Sequence, residues 1–182
     1  MISLRAAAAV LAVLALSFAS AQARSGPLRR PLHLPRLKSN QPCPVSPSRR
    51  SPWPSQVLNG RRPAYLVGVA GSPPGRIAVD FSTADALGWF GQKTPWAVSR
   101  SYGGPILVRG ARIDRRGAVR FAKRGRQHLR ELRWRRGADQ GTPPDRRFRF
   151  LAAETLVRKP GCYAFQVDGR SFSKIVVVRV PR

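Results

Sequence analysis

From Ala64 to the C-terminus the apolar residues come in short runs, each cut by Gly, Pro or Asp at a spacing of roughly ten residues. Many short strands at that spacing point to an all-β sandwich or barrel. The expected strands are Ala64–Ala70, Arg76–Phe81, Trp96–Ser99, Pro105–Ile113, Ala118–Phe121, Leu129–Trp134, Phe148–Val157, Cys162–Val167 and Phe172–Val180. Pro73-Pro74-Gly75 and Asp114-Arg115-Arg116-Gly117 supply turn chemistry between them. Phe148 and Phe150 alternate with Arg147 and Arg149, which predicts one core face and one solvent face. Gln127 to Arg136 has a basic helix as its alternative, because Leu129 and Leu132 are three apart.

The sharpest local signal is Asp168-Gly169, a preferred pair for a two-residue type I′ turn. That turn sets Phe165 opposite Phe172. It puts Phe165, Phe172, Val176, Val178 and Val180 on one core face, with Cys162, Ala164 and Gln166 on the other.

Before the strands comes a different kind of chain. Arg5, the small and apolar run Ala6 to Phe18 and the Ala21-Gln22-Ala23 site follow the pattern of a secretory signal peptide. The run is short for a bilayer span, and nothing later in the sequence is apolar for long enough to be one. Ser25 to Pro63 is rich in Pro, Arg and Ser and reads as irregular or extended chain, mobile before Cys43. The expected organisation is therefore a signal peptide over 1–23, a Pro/Arg-rich tail and strap over 24–63, and a β-sandwich over 64–182.

The sequence has two cysteines, Cys43 and Cys162. An exported chain with an even count predicts a disulfide between them. Because Cys162 faces away from Phe165, the bridge is expected to strap the Pro-rich segment onto the outside or edge of the sheet. Cys43 follows Gln41-Pro42 and lies far beyond Ala23, so it does not sit in a lipid-attachment site.

At these residues a resemblance appears. Cys43-Pro44-Val45, Gly103 to Asp114 and Pro160 to Gly169 (PGCYAFQVDG) together resemble a group of uncharacterised secreted bacterial proteins with an early CPV motif and a late GC-aromatic strand. The resemblance implies an immunoglobulin-like antiparallel sandwich with a disordered basic tail, exported to the envelope. It implies no established activity.

Lys+Arg is 34 against 8 Asp+Glu, a formal net charge of +26. A chain this basic adheres to polyanions at low salt, and outside the cytoplasm those are anionic wall or surface polymers and free DNA. Only five of the cations are Lys, and Arg with Ala, Gly and Pro is also what a GC-rich genome writes into any surface. The densest cluster runs from Arg109 to Arg136, with Arg109, Arg112, Arg120, Arg124, Arg126 and Arg130 as candidate polyanion contacts. Among the aromatics between Leu87 and Tyr102, Trp96 is expected in the core and Trp89-Phe90 as an exposed pair.

Catalysis is poorly supplied. There is no Gly-x-Ser-x-Gly elbow, no His-x-x-x-His and no Cys-x-x-Cys, so no catalytic residue, metal ligand or cofactor is predicted. Asp114 and Asp168 are read as turn residues. A hydrolase would need two close acids, or an acid with His128, drawn from Asp80, Asp85 and Glu154. The reading that follows is an exported, non-catalytic binding or structural module. A hydrolase and an extracellular DNA binder are its alternatives.

Overall fold

The computed structural model describes residues 28–38, 40–68, 72–139 and 145–182. The expected signal peptide lies outside the described residues. Among the described residues no helix is long and apolar enough to cross a membrane.

The fold is all-β. The strands are β1 (Ser48–Arg50), β2 (Val57–Arg61), β3 (Ala64–Gly68), β4 (Phe90–Lys93), β5 (Trp96–Ser99), β6 (Ile106–Arg112) and β7 (Arg120–Lys123), then β8 (Arg126–Leu129), β9 (Leu132–Trp134), β10 (Phe148–Leu151), β11 (Glu154–Val157), β12 (Gly161–Asp168) and β13 (Ser173–Val180). They form three antiparallel sheets, ordered β1-β2-β3-β5-β10, β4-β11-β7-β8 and β13-β12-β6-β9. One core lies between them. Trp96 of the first sheet and Phe121 of the second stand 6.0 and 6.1 Å from Phe165 of the third, ring centre to ring centre. All three rings are fully buried. Phe165 lies across Gly110 of the neighbouring strand, where a Cβ would come within 2.7 Å of the ring.

Two connections pass side by side between the first and second sheets. One is Thr94-Pro95, between β4 and β5, and the other is Ala152-Ala153, between β10 and β11. Thr94 N donates to Ala153 O at 2.9 Å, and the Thr94 and Thr155 hydroxyls meet at 2.6 Å. The run expected as one strand over 148–157 is therefore two strands in two sheets. The expected strand over 76–81 reduces to a bridge at Arg76 and a bond from Ile77 N to Arg179 O. Residues 126–134 form β8 and β9, so the helical alternative falls.

Phe148 packs with Trp53, Leu58, Tyr65, Val67 and Ala97 on the side of the first sheet away from the main core, and Phe150 packs against that cluster. Arg149 points the other way and is 3% exposed. Its guanidinium donates to the carbonyls of Tyr102, Gly104 and Ala138, closing the loops that flank β6 and β9. Alternation is present, but the Arg149 side is not the solvent face.

The C-terminal hairpin keeps the expected faces with a different register. Phe165 pairs with Val176 and Asp168 with Ser173, leaving a loop at 169–172 closed by Gly169 N to Phe172 O at 2.9 Å. The register is displaced by an even number of residues, so Phe165, Phe172, Val176, Val178 and Val180 still share the core side. Asp168 is drawn out of the turn because its carboxylate is a buried acceptor for Arg109, Gln166 and Ser173. The two-residue hairpin with positive φ at both centres lies elsewhere, at Arg124 (50°) and Gly125 (74°) between β7 and β8.

The Cys43–Cys162 disulfide is formed, with Cα atoms 5.6 Å apart. It fixes a strap to the outer face of the third sheet. Leu34, Leu37 and Cys43 pack on Ile113, Cys162, Ala164 and Val177. His33 N donates to Gln166 Oε1, and Gln166 Nε2 donates to Pro31 O. Arg30 donates to the carbonyls of Gly169, Arg170 and Phe172. Residues 28–38 are thus docked rather than free, because Gln166 partners their backbone and the hairpin-loop carbonyls accept from the Arg30 side chain. Further on, the open edge of β13 is covered by bonds between Ser46 and Val177, by Arg179 N donating to Gly75 O and by Ile77 N donating to Arg179 O.

Candidate functional site

The turn at 112–117 borders three clefts that arginines line. It forms where expected, closed by Arg112 N to Gly117 O at 3.0 Å. Arg112 is its fixed member. Its side chain lies against Gly117 and Gly161, where a Cβ would clash with it. Its Nε and Nη2 donate to both oxygens of Asp114 at 2.7 and 3.0 Å. That pairing raises the Arg112 pKa, while on Asp114 burial opposes the charge and the bonds from Arg112 overcome it, leaving the carboxyl below its ordinary value. Asp114 is thereby committed to Arg112.

Three clefts open from this turn. The first, about 530 Å³, is lined by Arg112, Arg115, Arg116, Arg120, Arg158 and Lys159, with Trp89 and Tyr163 in its wall. The second brings Arg36 of the strap beside Arg112, Arg115 and Arg116. The third adds Arg76, Arg179 and Arg182 next to the disulfide. Asp114 is the acid common to the second and third clefts, and it is already paired.

The first cleft is the most constructed. Arg120 and Arg158 both stack on the Trp89 indole, at 5.5 and 4.7 Å from its centre. Arg158 Nη2 donates to Leu87 O at 3.0 Å, and Arg120 Nη1 donates to Val119 O at 2.9 Å. Trp89 itself is held by Asp85, whose Oδ1 accepts from the backbone N–H of Leu87 and of Trp89. Tyr163 donates its hydroxyl to Lys159 O at 2.6 Å. Burial pushes that phenol above its usual pKa, so it brings no negative charge to the cleft.

The expected polyanion contacts separate into three places. Arg112 and Arg120 line the first cleft. Arg124 and Arg126 sit at the exposed tip of the β7–β8 hairpin, and Arg130 is exposed just beyond β8. Arg109 is not on this surface. It is mostly buried and donates to Asp168 Oδ2 at 2.7 Å and to Arg30 O at 2.6 Å, because it rises from the strap-covered face of β6. The expected exposed aromatic pair is also corrected. Trp89 is 7% exposed beneath its two arginines, and Phe90 is half-buried against Phe81, with ring centres 4.9 Å apart. Trp96 is in the core as expected. Arg158 and Lys159 carry no signal in the sequence beyond their charge. They reach the cleft because the β11–β12 connection passes beside the 112–117 turn.

The acids are mostly taken by local cations. Asp139 pairs with Arg100, Asp145 with Arg147 and Glu131 with Arg133, while Asp80 caps its own turn through Ser82 N. One expected juxtaposition does form: His128 Nε2 lies 2.7 Å from Asp85 Oδ2. The N–H of Trp89 and then His128 hold the Asp85 carboxyl below the usual carboxylate range. The pair joins the β7–β8 hairpin to the Trp89 turn. No side-chain hydroxyl or thiol bonds to His128 among the described residues. No cluster of His, Cys, Asp and Glu fit to hold a metal occurs among the described residues.

Comparison with known proteins finds no matching family model, no matching curated protein and no matching solved structure.

Proposed function

We propose that this chain is an exported module of the cell envelope or extracellular space that binds anionic polymers without catalysis. The observation that carries the reading is the convergence of three cation-lined clefts on the 112–117 turn, where the acid present is already committed to Arg112. The disulfide supports an address in a non-reducing environment outside the cytoplasm. Export through a cleaved signal peptide over 1–23, and kinship with the secreted proteins that share the CPV and GC-aromatic motifs, belong to the same proposal.

The test is salt-dependent binding to polyphosphate. Neutralising phosphates releases counterions, so affinity falls steeply with salt. Arg115→Gln/Arg116→Gln/Lys159→Gln is compared with Arg124→Gln/Arg126→Gln/Arg130→Gln and with Arg50→Gln/Arg61→Gln/Arg62→Gln. The first variant should lose affinity and salt slope, and the third should lose little. Equal loss in all three would reduce the binding to net charge and remove the site.

A second reading, an envelope hydrolase, has the Asp85–His128 contact in its favour, since a carboxylate that orients an imidazole suits a general base. Hydrolysis of a phosphoester by the wild type but not by His128→Gln would establish it.

A further inference from the structure

We infer that the cleft beside Trp89 is a dedicated site for a phosphate monoester, such as a phosphorylated chain end or side group of an anionic polymer. The inference rests on the polymer-binding reading of the same pole and names the chemical group recognised there.

Two guanidiniums held on one buried indole are an unusual arrangement unless an anion completes it. Arg120 and Arg158 repel each other, and no carboxylate neutralises either of them among the described residues. The Trp89 ring offsets part of that repulsion. The carbonyls of Leu87 and Val119 fix one edge of each guanidinium and leave other N–H groups unengaged. A guanidinium so placed is suited to paired bonds with phosphate oxygens, and its ordering cost is met before the ligand arrives. Arg115, Arg116 and Lys159 border the same space and bring flexible positive charge to the anion.

The size and walls of the cleft narrow the ligand. About 530 Å³ is the volume of a small-molecule site rather than of a groove that follows a long backbone. Trp89 is covered by its arginines and offers no free face for a sugar ring to stack on. Recognition therefore falls on the anionic group. A monoester carries close to two negative charges near neutral pH and three terminal oxygens, while a diester linkage carries one charge and two. The cleft contains no acid, and the Tyr163 phenol stays neutral, so the more highly charged group gains more.

The experiment uses inorganic phosphate, glucose 6-phosphate and dimethyl phosphate as probes at matched ionic strength. Binding is followed by the NMR shifts of the Arg Nε–H groups and the Trp89 indole N–H. Inorganic phosphate and glucose 6-phosphate should both bind, and dimethyl phosphate should bind at least about tenfold more weakly, the scale of one lost charge-assisted hydrogen bond. Tighter binding of glucose 6-phosphate than of phosphate would assign the site to a phosphorylated sugar, and the reverse order to the free ion. Affinity for glucose 6-phosphate should fall as pH drops through about 6, where the second proton of a monoester returns.

Arg158→Gln and Arg120→Gln should each lose about tenfold in affinity for the monoester. Arg158→Lys should not restore it, because an ammonium lacks the paired donors. Melting curves for these variants check that the fold is intact, and Arg124→Gln serves as a charge-matched control on the hairpin tip. Equal binding of monoester and diester, or equal loss in Arg124→Gln, would overturn the inference. Polyphosphate binding that survives while the small monoesters fail to bind would overturn it and leave the polymer reading standing. Monoester binding without polymer binding would do the opposite.

Discussion

Asp168 Oδ2 accepts a hydrogen bond from Arg109 Nη2 at 2.7 Å, with the Asp168 side chain entirely out of solvent. The two residues are diagonal neighbours on adjacent strands, since Gln166 pairs with Arg109 and Asp168 with Leu107. Gln166 and Ser173 supply further donors to the carboxylate, and Arg109 also holds the strap through Arg30 O. Removing one partner leaves the other charge buried and uncompensated. Asp168→Ala is expected to cost about 3–5 kcal/mol in urea denaturation. The double variant Asp168→Leu/Arg109→Met should recover part of that. A loss well below this range would mean that water screens the pair.

Reducing the Cys43–Cys162 bridge releases a crosslink with a sequence separation of 119 residues. The chain-entropy model gives a loss of about 4–5 kcal/mol. Cys43→Ser/Cys162→Ser should melt well below the wild type, and reductant should lower the wild-type Tm while leaving the variant unchanged. Intact mass with and without reductant should differ by two hydrogens.

Phe165 is fully buried where the three sheets meet, so Phe165→Ala should cost about 3–5 kcal/mol. Phe172 is only partly buried, against Tyr102, and Phe172→Ala should cost less. The two melts measured side by side check the register. Comparable losses would return Phe172 to the position opposite Phe165.

Arg149 lies in a site where burial lowers its pKa and three loop carbonyls accept its N–H groups. Arg149→Met keeps much of the volume and strands those carbonyls. It is expected to destabilise on the order of 3 kcal/mol, whereas Arg147→Met on the exposed neighbour should stay near neutral. Hydrogen exchange should show the 102–104 and 135–138 loops opening first.

The Asp85 carboxyl has its pKa lowered by the Trp89 N–H and by His128. A folded-state pKa below the unfolded value adds stability above about pH 4, and that stability is lost as pH falls through the folded value. The stability difference between wild type and Asp85→Asn should therefore be present at neutral pH and shrink towards zero in acid. A difference that stays constant from pH 7 to pH 2 would place Asp85 outside this account.

Much of the β-structure was legible because apolar runs and turn residues agree. Residues 96–99 are found as expected, and β6, β12 and β13 shift only at their ends. β1, β2 and β4 carry Ser-Arg-Arg, Asn-Gly-Arg and Gly-Gln-Lys, which pair through backbone and show no apolar alternation. The break at Ala152-Ala153 is silent in the pattern because both halves are apolar. At Arg149 the period was right and the side was not, since alternation says which residues share a face and not which face is covered. The resemblance implies two facing sheets, and the described strands form three. In the site, Arg112 and Arg120 stood out within a local cluster. Arg158 and Lys159 did not, because only the β11–β12 connection brings them there.

The strap has a consequence for the order of assembly. Residues 28–46 leave the ribosome well before the strands they cover, β12 and β13. The apolar patch of Ile113, Ala164, Ile175 and Val177 cannot receive its cover until β13 has been made. Through that interval Leu34 and Leu37 have no seat. The Cys43–Cys162 bond ties the strap to β12. A product lacking β13 would keep Cys162 on β12 but lose Ile175 and Val177, so the bond could form over an incomplete seat.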